Sequence, residues 1–342
     1  MSDVLKTVLV GCGGITKAWL EHVTTRDDVV LVGLVDIDPA QARRVQTTYG
    51  LTDAQIGTDL AAMLDAVNPD VVFDCTVPPV HAAVAVTALE HGCHVLGEKP
   101  MATSVADAQR INAAAAQAGK LHAVIQNRRY LDGIVHYRDL VQSGRIGALT
   151  TLNADFYLGP HFGGFREEME HVLLIDMAIH SLDQARFISG ADPVSVYCHE
   201  WNPPGSWYAH GASAMAIFEM SDGIVFNYRG SWSAQGKPTT WACDWRAVGT
   251  RGTVLWDGED GFAGEVVTGD EGFFYATTPM EIAPPAPLPY TGHAGVIDDF
   301  IAAVKTGGVP QTVGTDNIKS LAMVYAAIES AERGCKVPVV WS

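Results

Sequence analysis

Apolar runs of strand length alternate with helix-length stretches through the first part of the chain. Val4 to Val10 reads as a short buried strand, the glycines Gly11, Gly13 and Gly14 follow at once, and Trp19, Leu20 and Val23 then fall at helical spacing. "VVLVGLVDIDP" is a second buried strand that ends in Asp36, Asp38 and a helix-starting Pro39, and "ARRVQTTYG" is a helix stopped by Gly50. The strand "PDVVFDCTVPP" and the helix "HAAVAVTALEHG" repeat the unit, with Gly92 as the cap. "HVLGEKP", "VADAQRINAAAAQAG" and "LHAVIQN" supply strand, helix and strand again. This alternation predicts right-handed βαβ units on a parallel sheet over residues 1–125.

Beyond Gly147 the pattern changes. "ALTTLNADFY", "VSVYCHEW", "SAMAIFEM", "GIVFNYRGSWS", "ACDWRAVGT" and "GTVLWDG" are strand-like, several alternate in polarity, and Gly, Asp and Pro separate them, which predicts an antiparallel sheet. One strongly apolar helix, "HVLLIDMAIHSLDQARFISG", precedes most of them. "APPAPLPYTG" reads as an extended connector, and helices near Val296 to Lys305 and Thr315 to Arg333 finish the chain. The expected division is a first domain of residues 1–125 and a second of 126–342, whose C-terminal helices are free to pack back on the first.

The 342 residues suit two domains. A formal charge of −17 argues against nucleic acid or an anionic membrane as partner. The six cysteines are scattered with no metal-ligand spacing, so no metal is expected and reduced thiols are the simplest reading. The N-terminus lacks a basic leader and no apolar run is long enough to span a bilayer, which points to the cytoplasm.

Four features carry chemistry. The strand, glycine turn and helix around "VGCGGITKAW" provide the setting of a dinucleotide fingerprint, although Thr16 stands at its third glycine and such turns also serve plain connections. Asp36 lies 25 residues after Gly11, where a carboxylate accepts hydrogen bonds from an adenosine ribose. No arginine follows it at once to hold a 2′-phosphate, so NAD is favoured over NADP, while Asp38 fits a helix-capping role better than Asp36 does. In "GEKPM", Lys99 stands at the carboxyl end of a strand, turned by Pro100, where an ammonium can stabilise negative charge on oxygen; a solvated lysine is the plainer reading. Asp176 and His180 sit four apart on the apolar helix, suited to proton transfer by an oriented imidazole. The rival reading makes residues 176, 180, 183 and 184 the solvated stripe of an amphipathic helix.

Together the glycine turn, "TVPPVHAAVAVTALEHGCHVLGEKPMA", "NRRY", "SGRIGAL", Asp176-x-x-x-His180 and the ending "AAIESAERGCKVPV" resemble the Gfo/Idh/MocA oxidoreductases, named for glucose-fructose oxidoreductase and inositol dehydrogenase. The resemblance implies an α/β protein with an N-terminal Rossmann domain and a C-terminal α/β domain whose large, mostly antiparallel sheet covers the substrate pocket and builds a homodimer or homotetramer. By position it implies that Gly11, Gly13, Gly14 and Ile15 face the pyrophosphate of NAD, Asp36 and Ile37 the adenosine, and Thr76, Pro78, His81, Glu98 and Lys99 the nicotinamide side. Lys99, Asp176 and His180 would be the catalytic set. The family's T-P-N is "TVP" here, and the glycine pair before the Asp-His helix is replaced by "EHVLL".

The implied reaction is oxidation of a secondary hydroxyl on a sugar, glycoside or cyclic polyol, or the reverse ketone reduction. Arg129, His161 and Arg166 are further candidates for substrate contacts, with ion pairing to Glu167, Glu168 or Glu170 as the alternative for Arg166. The tryptophans of the second domain read mostly as core. Two rival functions share the fold: an NAD-dependent glycosidase with no net redox change, and a sugar sensor that binds the dinucleotide without turnover.

Overall fold

The computed structural model describes residues 4–342. The described chain divides into two compact units. One takes in the chain up to Asn127, Pro289–Leu321 and Ser342; the other consists of Arg128–Leu288 and Ala322–Trp341.

In the first unit the strands are β1 (Leu5–Val10), β2 (Val29–Val35), β3 (Gln55–Gly57), β4 (Val71–Asp74), β5 (His94–Gly97) and β6 (His122–Val124). They form one parallel sheet in the order β3-β2-β1-β4-β5-β6. The crossovers are α1 (Thr16–Val23), α2 (Pro39–Tyr49), α3 (Leu60–Val67), α4 (Pro78–Glu90) and α5 (Val105–Ala118). Covering by helices explains why the carboxyl half of β1 and the start of β4 are buried apolar runs, with Val8, Leu9, Val71, Val72 and Phe73 fully inaccessible. Capping residues bound several of these helices, although α4 closes on His91, one residue before the expected Gly92. Asp38 accepts from Ala40 N–H at 2.9 Å, Ser104 caps α5, and Gly50 and Gly119 close α2 and α5 in the left-handed conformation.

In the second unit α6 (Asp132–Gln142) precedes β7 (Leu149–Tyr157), and α7 (Ile179–Ser189) precedes β8 (Pro193–Trp201). The strands β9 (Ser213–Met220), β10 (Val225–Ser231), β11 (Asp244–Gly249), β12 (Gly252–Trp256), β13 (Phe262–Val267) and β14 (Thr277–Pro279) follow. Helices α8 (Gly292–Thr306) and α9 (Gly314–Arg333) and strand β15 (Val337–Pro338) end the chain. The nine strands make one sheet, β14-β13-β12-β11-β7-β10-β9-β8-β15, in which only β7 and β10 run parallel. One sheet face is covered. On the other, Tyr197, Met215 and Ile217 stand 45%, 46% and 50% exposed, and Tyr197 faces Ile217 across the β8–β9 ladder.

The helix expected across "HVLLIDMAIHSLDQARFISG" is two pieces. Leu173–Ala178 is a π-helix that runs into α7. The solvated-stripe reading of this segment is overturned: His180, Asp183 and Gln184 are buried, because α7 is enclosed on nearly every side and Asp183 is paired with a buried arginine.

Candidate active site

The first unit gathers its candidate residues at the carboxyl ends of adjacent parallel strands, on both sides of the point where strand order reverses between β1 and β4. Gly11 follows β1 with φ +81, and a Cβ there would lie 2.7 Å from the backbone of Cys75, so only glycine lets the β1 and β4 turns approach this closely. Cβ atoms built on Gly13 and Gly14 would meet nothing within 4 Å. Immediately beyond, α1 begins with no side-chain cap and no acidic residue in its first turn, leaving free N–H groups and the positive end of the helix dipole. Thr16 fits the third glycine position because its hydroxyl folds back on the Gly13 carbonyl at 2.6 Å and the residue is buried. Ile15 is partly exposed and Ile37 almost wholly so.

Asp36 is held in place by the backbone. Its Oδ2 accepts from Cys12 N–H at 2.6 Å and its Oδ1 from Asp38 N–H at 2.9 Å. Each oxygen retains a lone pair for a hydroxyl donor. Arg44, which the sequence reading missed, reaches the Cys12 carbonyl at 3.1 Å. An open glycine turn, an uncapped helix start and a fixed acceptor suit a dinucleotide: phosphate over Gly13 and Gly14, ribose on Asp36.

A second cluster links β4 and β5. Thr76 donates to Asp74 Oδ1 from both its hydroxyl, at 2.5 Å, and its amide, at 3.0 Å. Burial pushes the Asp74 carboxyl above its usual range, against the pull of His81 and Thr76. Buried His81 sits with Nδ1 2.7 Å from the Pro100 carbonyl and Nε2 3.1 Å from the Thr76 carbonyl, so it ties the Thr76 turn to the Lys99 turn. Pro78 opens α4 at the same place. Glu98 is buried and accepts from Trp19 Nε1 at 2.8 Å and from the Lys99 amide at 3.2 Å. Burial raises its pKa, but hydrogen bonds from His293 and Trp19 and the charges of His293 and Lys99 outweigh that and hold it below the usual glutamate value. Trp19 and His293 carried no functional signal in the sequence, since each gains its role only through Glu98, far along the chain.

In the second unit Asp176 lies in the π-helix and His180 is buried at the start of α7. Arg166 Nε donates to Asp176 Oδ2 at 3.0 Å, which resolves its pairing: the partner is Asp176, not the nearby glutamates. The same guanidinium lies over the rings of Phe162 and Phe165 at 5.1 and 5.0 Å. Phe162 meets Trp232 at 5.2 Å, and Trp232 meets Trp241 at 5.6 Å. Arg128 then donates to the Trp241 carbonyl and touches Met177 Sδ at 3.6 Å, next to Asp176. The contacts therefore close a ring beside the π-helix. His161 stacks on Trp207 with centroids 3.8 Å apart. Arg129 is turned elsewhere, gripping Asp183 with two hydrogen bonds of 2.7 Å in a buried pair.

Just ahead of the π-helix, His171 takes φ +51, a left-handed conformation that favours glycine. Its ring is anchored by Glu200 at 2.5 Å and Glu332 at 3.7 Å. This clamp lies in the "EHVLL" segment, where the sequence departs from the glycine pair of the proteins it resembles.

Comparison with known proteins bears on both units. A family model described as an oxidoreductase family with an NAD-binding Rossmann fold matches residues 5–126, and the GFO/IDH/MocA C-terminal domain matches residues 134–255. D-glucoside 3-dehydrogenase of Escherichia coli is 34% identical over 60% of this chain and 60% of its own length. Inositol 2-dehydrogenase of Rhizobium meliloti is 27% identical over 94% of this chain and 95% of its own. The crystal structure of an oxidoreductase from Agrobacterium radiobacter, in complex with NAD+, L-tartaric acid and magnesium, shares the fold: TM-score 0.85, 24% identity, 98% of each chain covered.

Proposed function

Because the chain belongs to the GFO/IDH/MocA oxidoreductases, we propose that it is an NAD-dependent dehydrogenase that oxidises a secondary hydroxyl of a sugar, glycoside or cyclic polyol, with His180, Lys99 and Asp176 as its catalytic residues. The observation that carries the reading is the buried His180 imidazole, on the same helical segment as an aspartate paired with a guanidinium that lies over two aromatic rings.

NAD supplies the hydride acceptor when bound. Gly13, Gly14 and the start of α1 hold its phosphates, and the Asp36 carboxylate takes the adenosine ribose. Asp36 favours a ribose hydroxyl over a 2′-phosphate, since a fixed carboxylate repels a second anion. The remaining work belongs to the chain. His180 accepts the proton of the reacting hydroxyl as the C–H hydride departs, so the carbinol carbon becomes a carbonyl. The Lys99 ammonium stabilises the charge that grows on that oxygen. Asp176 accepts a hydrogen bond from a neighbouring hydroxyl, and Arg166 fixes the position of that carboxylate through its Nε–H donor. His81 fixes the turn that presents Lys99. Arg129 acts through Asp183 to hold α7 rather than by touching substrate.

Copies of the chain associate through the open face of the nine-stranded sheet. The exposed cross-strand patch of Tyr197, Met215 and Ile217 supports that assembly. Absorbance of NADH across a panel of aldoses, glycosides, inositols and sugar acids, with NAD and NADP in parallel, tests the function. NADH from one substrate class is the expected result. Release of free sugar without NADH would replace it with the redox-neutral glycosidase, and dinucleotide binding with no chemistry would replace it with the sensor.

A further inference from the structure

The two arginines of "NRRY" have different surroundings. Arg129 is neutralised by Asp183. Among the described residues Arg128 has no carboxylate partner: it reaches only the Trp241 carbonyl and Met177 Sδ. A guanidinium carries five N–H donors, so these contacts leave three unused. The side chain is half-buried, and no nitrogen of it is among the sealed atoms that lack a partner. Its Nε–H, which no contact uses, is therefore open to a ligand. Burial pulls its pKa below the ordinary arginine value. A positive charge in this setting costs free energy until an anion arrives.

The position matters as much as the missing partner. Met177 adjoins Asp176, and Trp241 connects through Trp232 and Phe162 to Arg166 and Asp176. Arg128 thus belongs to the same ring of contacts as the catalytic aspartate.

Resting on the dehydrogenase reading, we propose that Arg128 receives a carboxylate of the substrate, so that the enzyme acts on a sugar acid or polyol acid. The planar fork of a guanidinium matches a carboxylate with two parallel hydrogen bonds. A phosphate dianion would draw on a second cation, and the next guanidinium on the ring, Arg166, is already neutralised by Asp176.

The test measures NADH formation by wild type, Arg128→Met and Arg128→Lys on matched substrates: an aldonate, a uronate, the neutral aldoses and an aldose phosphate. Wild type is expected to prefer an acid. Arg128→Met is expected to lower the acid-over-neutral ratio of kcat/KM by about 10- to 100-fold, with partial recovery in Arg128→Lys and an unchanged NAD dissociation constant. Equal use of acid and neutral sugars, a preference for the phosphate, or loss of NAD binding instead of acid preference would overturn the proposal. If Arg128→Met does not fold, the wild-type preference and Arg128→Lys decide. If no substrate yields NADH, the dehydrogenase reading fails by itself. Calorimetry of gluconate and glucose binding to the wild type then tests the carboxylate site, which predicts heat from gluconate alone.

Discussion

Arg129 Nε and one of its terminal nitrogens each meet an Asp183 oxygen at 2.7 Å, with both side chains almost inaccessible. The pair fastens the segment at Arg129 to α7, the helix that carries His180. Removing one partner leaves a buried charge uncompensated, which costs about 3–5 kcal/mol. Asp183→Asn is therefore expected to lower the denaturant midpoint strongly, and Arg129→Met likewise. Equilibrium urea unfolding followed by tryptophan fluorescence measures it; a midpoint within error of wild type would remove the structural role.

Asp36→Ala should weaken NAD binding by about tenfold or more, since a charge-assisted hydrogen bond contributes roughly 1.5–3 kcal/mol. The same change should narrow the preference for NAD over NADP, because the fixed negative charge beside Cys12 is gone. Calorimetric titration with each dinucleotide measures both effects.

The His171 clamp makes the stability of its unit depend on pH. The hydrogen bond to Glu200 raises the imidazole pKa, burial lowers it, and the charges of Glu200, Glu332 and Glu170 raise it further, with a net shift upward. A raised histidine pKa gives stability that is complete below the ordinary value of about 6.5 and is lost as pH rises through the folded value. Midpoints measured from pH 6 to pH 9 should fall on the alkaline side. In His171→Gly, which suits φ +51 and has no ring to titrate, that fall should flatten.

Ile217→Glu places a charge in the exposed patch of the open sheet face, opposite Tyr197. Sedimentation equilibrium should show a smaller assembly than wild type. An unchanged mass would remove this face from the interface.

The alternation of strands and helices in the first unit was legible because buried parallel strands are continuous aliphatic runs and glycines punctuate them. β3 and α3 escaped notice: three residues of strand beside an eight-residue helix carry too little periodicity to read. The parallel pairing of β7 with β10 is a tertiary choice with no local mark. Within the candidate site, chain position suggested Asp36, Lys99, Asp176 and His180, but not their partners. Spacing cannot tell that Arg166 pairs with Asp176 rather than a nearer glutamate, nor that Arg129 is neutralised while Arg128 is not. Those outcomes depend on which carboxylates folding brings within 4 Å. His293 and Glu332 join their clusters from the far end of the sequence.

The central claim is hydride transfer from a substrate carbon. The substrate chosen by the panel, deuterated at its carbinol carbon, should be incubated with NAD and wild type or His180→Asn, and the cofactor examined by mass spectrometry and proton NMR. Wild type is predicted to deliver deuterium to C4 of the nicotinamide. His180→Asn should bind NAD equally and deliver it at least a hundredfold more slowly, in keeping with the loss of a general base. Deuterium that ends in a released sugar with no reduced cofactor accumulating, or equal transfer by His180→Asn, would contradict the account.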